Sequence, residues 1–278
     1  MNSEKPSGST AFGRQLKIWR QKRGMSQLEL ATTASTTPRH LSFVESGRSR
    51  PGKELVLRLA RSLDLSVRNQ NELLIAAGLP AQFVERELTD QEIKPYRMAV
   101  EQIIQSHNPY PACVHDGLGR VLTCNDAHRR MMPGSESMTP EELVDVMFGP
   151  GRMREVVENW AEVAWAWVDQ QLITVANTNN QELTALVHRA MDHLEGVERP
   201  EISGDASSSE MMIMRFRFGD RIIQTFSTVM CFESALEVTL SELRVKLMFP
   251  LDAESKSFFH ELAEHAESES SNLTALPS

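Results

Sequence analysis

Residues 26–50 read SQLELATTASTTPRHLSFVESGRSR, a pattern that predicts two short helices joined by a tight turn. Ser26 can cap the first helix, and Glu29, three residues later, completes a capping box. Thr37 can cap the second helix, and Pro38 suits its first position, because that position needs no backbone donor. This helix can end at Gly47, which tolerates the left-handed backbone that follows many helices. The stretch therefore predicts a compact helix-turn-helix hairpin.

Each predicted helix of the hairpin has an apolar side and an outward side. The apolar positions are Leu28, Leu30 and Ala31 in the first helix, and Leu41 and Val44 in the second. The second helix then turns Arg39, His40 and Phe43 outward, and a basic loop follows it. A short helix that exposes an arginine, a histidine and an aromatic ring suits the DNA major groove. We therefore interpret it as a recognition helix.

The length and composition of the chain favour a soluble protein of two domains. The 278 residues are too many for one small core, and 41% hydrophobic with 24% charged residues is typical of globular proteins. No apolar run approaches the roughly 18 residues of a membrane helix, and the first ten residues lack the apolar core of a signal peptide. We therefore expect a cytoplasmic protein with no membrane partner. The cysteines fit no zinc spacing and are expected to be small buried hydrophobes: Cys113, Cys124 and Cys231.

Charge is distributed unevenly along the chain. The net charge is −9 overall, but residues 1–80 carry 13 Lys and Arg against 6 Asp and Glu, which is +7. The remaining residues therefore carry −16. A basic head on an acidic body is the pattern expected if only the head contacts phosphate.

Three further amphipathic segments surround the hairpin. Phe12, Leu16 and Trp19 mark a helix before it, and two more apolar stripes at helical spacing follow it. Residues 11–79 are thus predicted to form an all-α domain of five short helices. This region contains LKIWRQKRGMSQLELA, STTPRHLSFVESGRSRP and LVLRLARSLDL, which together resemble the Cro/C1-type (XRE) helix-turn-helix family.

The resemblance implies roles in binding double-stranded DNA. Gln27 would hold a backbone phosphate at the N-terminus of the first hairpin helix. The base-facing positions of the family correspond to Thr37, Arg39, His40 and Phe43. Arg39 could contact guanine with two hydrogen bonds, and Phe43 could pack on a thymine methyl group. Phosphate contacts that fix register are expected from Arg48, Arg50 and Lys53.

Some of these roles have plainer alternatives. His40 could equally contact the DNA backbone or nothing, and the loop containing Arg48 could be merely solvated. Pro38 replaces a polar residue common in the family, so one base contact could be absent. Glu45 matches a family position that pairs with an arginine of the first helix, here Arg20. Members usually bind palindromic operators as dimers, which implies a homodimer, although no heptad pattern is present.

The rest of the chain is expected to contain a connection, a second domain and a tail. Residues 80–110 are expected to form a connecting helix after an initial turn. Residues 111–265 begin with a β-hairpin, continue with helices and change to strand periodicity from Met211. The order β-β-α-β-β-β with antiparallel neighbours predicts a PAS-like domain, a five-stranded sheet with covering helices, and makes the chain α+β. Residues 266–278 are Ser- and Glu-rich and are expected to be disordered.

Details of the second domain point to a second family. One long helix is predicted over 153–177, and small residues predict a loop at 204–209. NPYPACV, VENWAEVA and FSTVMCFESALEVTLSELRVKLMFP resemble the ligand-binding domain of the MmyB-like transcription regulators. That resemblance implies a sensor whose apolar pocket takes a fatty-acid-like ligand. Ligand would change the spacing of the two DNA-binding domains of a dimer through the connecting helix, and with it the affinity for DNA.

The pocket would lie between the sheet and its covering helices, a common small-molecule site. The candidate lining residues are Val157, Trp160, Val163, Ala164 and Trp167 from the long helix, and Phe216, Phe226, Thr228 and Met230 from the strands. A stripe of aromatic residues at helical spacing is more often plain core, which is the alternative for each of them. Arg215 or Arg217 could meet a carboxylate head group, although strand arginines are often just solvated.

Three other functions compete with this interpretation. An enzyme has no support, because no Gly-x-Ser-x-Gly, phosphate-binding glycine loop or His-Glu-x-x-His motif is present, and no catalytic residue, cofactor or metal site is predicted. A haem or flavin sensor would need a ligand such as His115, and a colourless protein would argue against it. The remaining alternative is a second domain that serves only dimerisation or the binding of a protein partner.

Overall fold

The computed structural model describes residues 10–87, 90–178, 180–200, 212–232 and 237–274. The chain divides into two compact units, each considered by itself. The head comprises residues 1–86 with two short later segments, and the body comprises most of the chain from Glu87 onward. The loop predicted at 204–209 lies outside the described residues. No helix in the described part is long and apolar enough to cross a membrane.

Five helices form the head between residues 10 and 79, as the sequence predicts. They are α1 (Ala11–Lys22), α2 (Gln27–Thr33), α3 (Pro38–Glu45), α4 (Lys53–Ser62) and α5 (Val67–Ala76). Both predicted caps are present: Ser26 and Glu29 form the capping box of α2, and the Thr37 hydroxyl accepts a hydrogen bond from the backbone N–H of His40 at 3.1 Å. Between α2 and α3, Ser35 adopts a φ of 52°, which helps to reverse the chain.

An apolar core joins these helices. Phe12, Leu16 and Trp19 of α1 are at most 1% exposed, which confirms the face predicted for that helix. Gly13 lies where α1 meets the end of α3, and a Cβ atom built there would lie 2.3 Å from the carbonyl oxygen of Glu45. Because only glycine permits so close an approach, Gly13 fixes how α3 packs on α1.

The buried side of α2 is narrower than predicted. The prediction is wrong for Leu28, which is 63% exposed, whereas Leu30 and Ala31 are fully buried. Two residues along an α-helix correspond to a rotation of about 200°, so Leu28 and Leu30 lie on opposite faces. The core contact of α2 therefore rests on Leu30 and Ala31.

Among the described residues, five strands form one antiparallel sheet in the body. They are β1 (Ala112–His115), β2 (Val121–Cys124), β3 (Ile213–Phe218), β4 (Arg221–Met230) and β5 (Arg244–Pro250). Their order across the sheet is β2-β1-β5-β4-β3. A turn joins β3 to β4, and its Gly219 adopts a φ of 60°. The chain is therefore α+β, as predicted.

Eight further α-helices are described after residue 90. They are α6 (Lys94–Ser106), α7 (Asp126–Met131), α8 (Pro140–Phe148), α9 (Arg152–Val156), α10 (Trp160–Thr178), α11 (Gln181–His193), α12 (Val238–Glu242) and α13 (Ala253–Thr274). Helix α6 occupies 13 residues of the segment expected to connect the domains. Its Val100 and Ile104 are buried, and the Ile104 carbonyl accepts a hydrogen bond from Asn125 Nδ2 at 3.0 Å. The helix thus packs as part of the body.

The long helix predicted over 153–177 is interrupted. Val157 pairs with Phe216 in an isolated bridge, and the Glu158 N–H donates to the Arg215 carbonyl at 2.8 Å. The Asn159 side chain accepts from the Arg215 N–H at 3.0 Å and donates to the carbonyl of Ile213 at 2.8 Å. These hydrogen bonds occupy the edge of β3 that no other described strand covers. The apolar residues keep a helical spacing from α9 to α10, but the pairing of residues 157–159 with β3 interrupts the helix.

Helix α13 was not predicted. Asp252 begins it by accepting a hydrogen bond from the Ser255 N–H at 2.7 Å, and Phe259 is 2% exposed. The helix continues to Thr274, although the sequence predicted disorder from residue 266. The segment contains no Gly or Pro that would end a helix, which explains the continuation. Residues 275–278 lie outside the described part.

Candidate DNA-binding surface and ligand cavity

Hydrogen bonds define both ends of α3, the predicted recognition helix. Thr37 caps its N-terminus, with Pro38 in the first position as predicted. At its C-terminus Gly47 adopts a φ of 76° and donates to the Val44 carbonyl at 3.2 Å, while the Arg48 N–H donates to the Phe43 carbonyl at 2.8 Å. This paired pattern is a Schellman motif. It places Arg48 directly beside the exposed side of the helix.

A buried ion pair locks α3 to α1 and α2. Arg20 donates from Nε to Glu45 Oε1 at 2.7 Å and from Nη2 to Glu45 Oε2 at 3.0 Å, which confirms the structural role predicted for Glu45. Gln27 Nε2 also donates to Glu45 Oε2, at 2.7 Å. The Gln27 side chain, which is predicted to hold a phosphate, is therefore fixed at the start of α2. Because Arg20 binds the Glu45 carboxylate through two hydrogen bonds, the ion pair fixes the orientation of α3 against α1.

Three side chains on and after α3, which we call the Phe43 cluster, form one exposed group. They are Arg39, Phe43 and Arg48. The guanidinium of Arg39 lies 5.5 Å from the centroid of the Phe43 ring, and that of Arg48 lies 5.9 Å from it. Both distances allow cation–π attraction. The half-buried ring thus orients two exposed arginines on the outward face of the helix.

The remaining residues predicted to contact DNA lie around this cluster in sequence. Thr37, Arg50 and Lys53 are exposed, with Lys53 at the first position of α4. His40 is half-buried, and its Nδ1 lies 3.4 Å from Thr36 Oγ1. The structure therefore brings the predicted base-facing positions together on α3 and places the predicted phosphate-binding cations after it.

A cavity of about 270 Å³ lies in the body, bounded by one face of the sheet and by helices α7 to α10. Six of the nine predicted pocket residues line it: Val157, Trp160, Val163, Ala164, Trp167 and Phe216. Trp160 is held in place because its Nε1 donates to the Met147 carbonyl at 2.9 Å and the guanidinium of Arg154 lies 4.2 Å from its ring centroid. The aromatic wall is therefore built on fixed side chains.

The other three predicted pocket residues lie elsewhere, because the pleat of β4 alternates. Ile223 and Thr225 of this strand are fully buried, so the residues between them face the opposite side. The Phe226 ring stacks on Phe249 at 5.4 Å between centroids. Thr228 and Met230 are exposed near the end of the strand. None of these three residues lines the cavity, because the prediction chose the alternate residues of β4 that face away from it.

Sequence reasoning identified none of the six methionines that line the cavity. They are Met131, Met132, Met147, Met153, Met214 and Met248. Because they come from several helices, strands and loops, no periodicity within one element could group them. Unbranched thioether side chains give the cavity an adaptable apolar wall.

A few polar side chains line the same cavity. They are Cys113, His115, His128 and Lys246. Cys113 of β1 lies directly opposite Lys246 of β5. Burial lowers the pKa of His128 to about 4 and also lowers the pKa of His115, while it raises the pKa of the Cys113 thiol. The histidines are therefore neutral at pH 7.

The cysteines differ in exposure, and the strand arginines are engaged elsewhere. Cys113 and Cys124 are buried as predicted, whereas Cys231 is exposed because it follows the exposed end of β4. Arg217 Nη2 lies 2.5 Å from Glu158 Oε1, and Arg215 lies 3.5 Å from the same carboxylate. Neither arginine lines the cavity.

Comparison with known proteins agrees with both units. The family model for the MmyB-like transcription regulator ligand binding domain matches residues 96–262, and the helix-turn-helix model matches residues 16–68. A solved structure, that of the clp gene regulator ClgR from C. glutamicum, is 31% identical over 24% of this chain and 84% of that chain, with a TM-score of 0.22. A comparison with curated proteins found no match. With a capped recognition helix in its head and a matched ligand-binding domain in its body, this chain belongs to the MmyB-like transcription regulators, a family of DNA-binding proteins.

Proposed function

We propose that the protein regulates transcription in response to a small apolar, fatty-acid-like ligand bound in the body. The observation that carries this proposal is the cavity of about 270 Å³ walled by Trp160, Trp167, Phe216 and six methionines. Ligand sites of this kind are concave and mostly apolar, with a few polar groups. The order of the strands and their antiparallel pairing support a PAS-like description of the body.

On the DNA side, α3 enters the major groove of an operator. Arg39 contacts guanine, and Phe43 contacts a thymine methyl group. Gln27, Arg48, Arg50 and Lys53 hold phosphates on either side of the groove. Two copies bind a palindrome, because a single head of five short helices offers few contacts to one half-site.

Analysis of the natively purified protein tests the ligand half of this proposal. Solvent extraction followed by mass spectrometry is expected to release an apolar small molecule, and a series of fatty acids is expected to raise the melting temperature. Recovery of no small molecule, together with no thermal shift for any chain length, would favour a body that serves only dimerisation or partner binding.

A variant that fills the cavity tests ligand binding separately from operator binding. Ala164 is 3% exposed and lines the cavity, so Ala164→Phe is expected to remove ligand binding while operator binding in the absence of ligand is retained. Ile173→Phe on the same helix is the matched control, because Ile173 is 58% exposed and does not line the cavity. Unchanged ligand affinity in a folded Ala164→Phe variant would place the ligand elsewhere.

A further inference from the structure

The polar side chains of the cavity carry information about the ligand's head group. Within the described residues that line the cavity, Lys246 is the charged side chain, and no aspartate or glutamate is present. Lys246 forms no ion pair with any residue that the structure describes. The cavity is therefore mostly apolar, with a single charged side chain among its described lining residues.

His128 lines the same cavity as Lys246. The positive charge of Lys246 acts to lower the pKa of His128, His115 and Cys113. For Cys113 the opposite effect of burial is larger, so its pKa is raised overall. His128 comes from α7, which packs on β1, and Lys246 of β5 lies opposite Cys113 of the same strand β1, so two separate elements supply these groups. His128 Nε2 is buried and makes no hydrogen bond to the described part of the chain. Among the described residues, one ammonium group and one ring nitrogen that line this mostly apolar cavity thus lack a protein partner.

The physical cost of this arrangement indicates what would be bound. A half-buried cation beside apolar walls loses hydration without gaining an ion pair, and a buried polar nitrogen without a hydrogen bond is also unfavourable. A carboxylate offers a negative charge to the ammonium and a lone pair to an imidazole N–H, so it satisfies both groups at once. An uncharged apolar molecule would satisfy neither.

We propose that Lys246 and His128 form the subsite that holds the carboxylate group of the fatty-acid-like ligand. This rests on the proposed function, since it presumes that a ligand occupies the cavity. The chain of the ligand packs against the aromatic and methionine walls. Lys246 supplies the charge, and His128 Nε2 donates the second hydrogen bond.

The strand arginines are the obvious competing partners for a carboxylate, and the structure argues against both. Arg215 and Arg217 are paired with Glu158, and Arg215 also lies 3.4 Å from Glu162. A ligand carboxylate would have to displace an existing ion pair there. Lys246 has no such competitor within the described residues.

Calorimetric titration of the full-length protein, after removal of co-purified lipid, tests the assignment with two probes. Decanoate carries the carboxylate, and decan-1-ol has the same chain without the charge. Wild-type protein is expected to bind decanoate more tightly than the alcohol. Lys246→Met keeps the bulk of the side chain but removes its charge, and it is expected to weaken decanoate binding by about tenfold or more, as for loss of a charge-assisted hydrogen bond.

Two further variants make this result specific. His128→Leu is expected to weaken decanoate binding by a smaller factor, because it removes a hydrogen bond but not the charge. Arg217→Met removes a cation from the same sheet outside the cavity and is expected to leave both affinities unchanged. Lys246→Arg, which retains the charge, is expected to keep the preference for decanoate over the alcohol.

The possible results separate this inference from the proposed function. Equal binding of both probes by wild-type protein and by Lys246→Met would overturn the carboxylate subsite while leaving an apolar ligand in place. Loss of decanoate binding in Arg217→Met, with Lys246→Met unaffected, would move the head group to the strand arginines and also overturn it. Failure of wild-type protein to bind either probe would overturn the proposed ligand and the subsite together.

Discussion

At the scale of single residues, Phe43 organises the exposed side of α3 because two arginines lie against its ring. Cation–π attraction holds Arg39 and Arg48 at 5.5 and 5.9 Å from the ring centroid. Preorganised side chains lose less conformational entropy when they bind a partner. In the proposed complex, Arg39 would thus already be positioned for base contact before DNA binds.

Arg39→Ala is expected to weaken binding to the specific operator by about 1–3 kcal/mol, the usual worth of a two-point arginine–guanine contact. Affinity for the ligand should not change, because Arg39 belongs to the head. Fluorescence anisotropy with labelled operator, beside calorimetry with ligand, measures both quantities. Arg61→Ala, an exposed arginine of α4, is the control. Loss of ligand affinity in Arg39→Ala would contradict this division of labour.

His128 makes the stability of the body depend on pH. Burial lowers its pKa from 6.5 to about 4, so the unfolded state binds a proton first as pH falls. Stability is then lost between about pH 6.5 and pH 4, and we expect a loss of about 2 kcal/mol between pH 7 and pH 5. Carboxylates with lowered pKa values, such as Asp145, lose their contribution only below this window.

Urea denaturation followed by tryptophan fluorescence measures this effect, since three of the four tryptophans lie beyond residue 159. His128→Gln should show a shallower loss of stability between pH 7 and pH 5 than wild-type protein. An identical slope in the two proteins would mean that His128 is not the group that titrates. His115, whose pKa is also lowered by burial, contributes to the slope that remains.

At the scale of elements, local signals in the sequence identified what is set by neighbouring residues. The caps at Ser26 and Thr37, the Gly47 terminus and the buried face of α1 are all local patterns, and all are confirmed. The interruption after α9 could not be read in this way, because Val157 leaves the helix to pair with β3, which is distant in sequence. Tertiary pairing decided that boundary.

The candidate cavity shows the same limit. The residues of α10 that line it follow a helical stripe, so the sequence could identify them. On β4, either of two alternating sets of residues could face the cavity, and the sequence does not say which. The prediction was off by one residue, so Phe226, Thr228 and Met230 do not line the cavity. The methionine walls and Lys246 depend on which distant strands become neighbours, and no pattern within one strand reports that.

Asn159→Ala tests whether the interruption depends on one side chain. The asparagine is 6% exposed and bonds two backbone groups at the edge of β3. Leaving both groups unsatisfied should cost about 2–3 kcal/mol of unfolding free energy. Asn180→Ala, which removes the N-cap of α11, gives a reference loss of about 1 kcal/mol. A loss in Asn159→Ala no larger than this reference would contradict the role given to Asn159.

At the scale of the whole molecule, opposite charges and separate cores assign the two activities to different parts of the chain. The first 80 residues carry +7 and contain the recognition helix, whereas the rest carries −16 and contains the cavity. The basic part is suited to phosphate, and the acidic part would be repelled by it. We therefore interpret the protein as a DNA-binding regulator, and we propose that it responds to a ligand in its body.

The affinity for operator DNA with and without ligand tests this account most directly. The operator is a fragment retained by the pure protein, and the ligand is the fatty acid that gives the largest thermal shift. We expect saturating ligand to change the operator Kd by about fivefold or more in wild-type protein, as for a coupling of at least 1 kcal/mol, and not in Ala164→Phe. The same operator Kd with and without ligand, while calorimetry shows the cavity occupied, would contradict it.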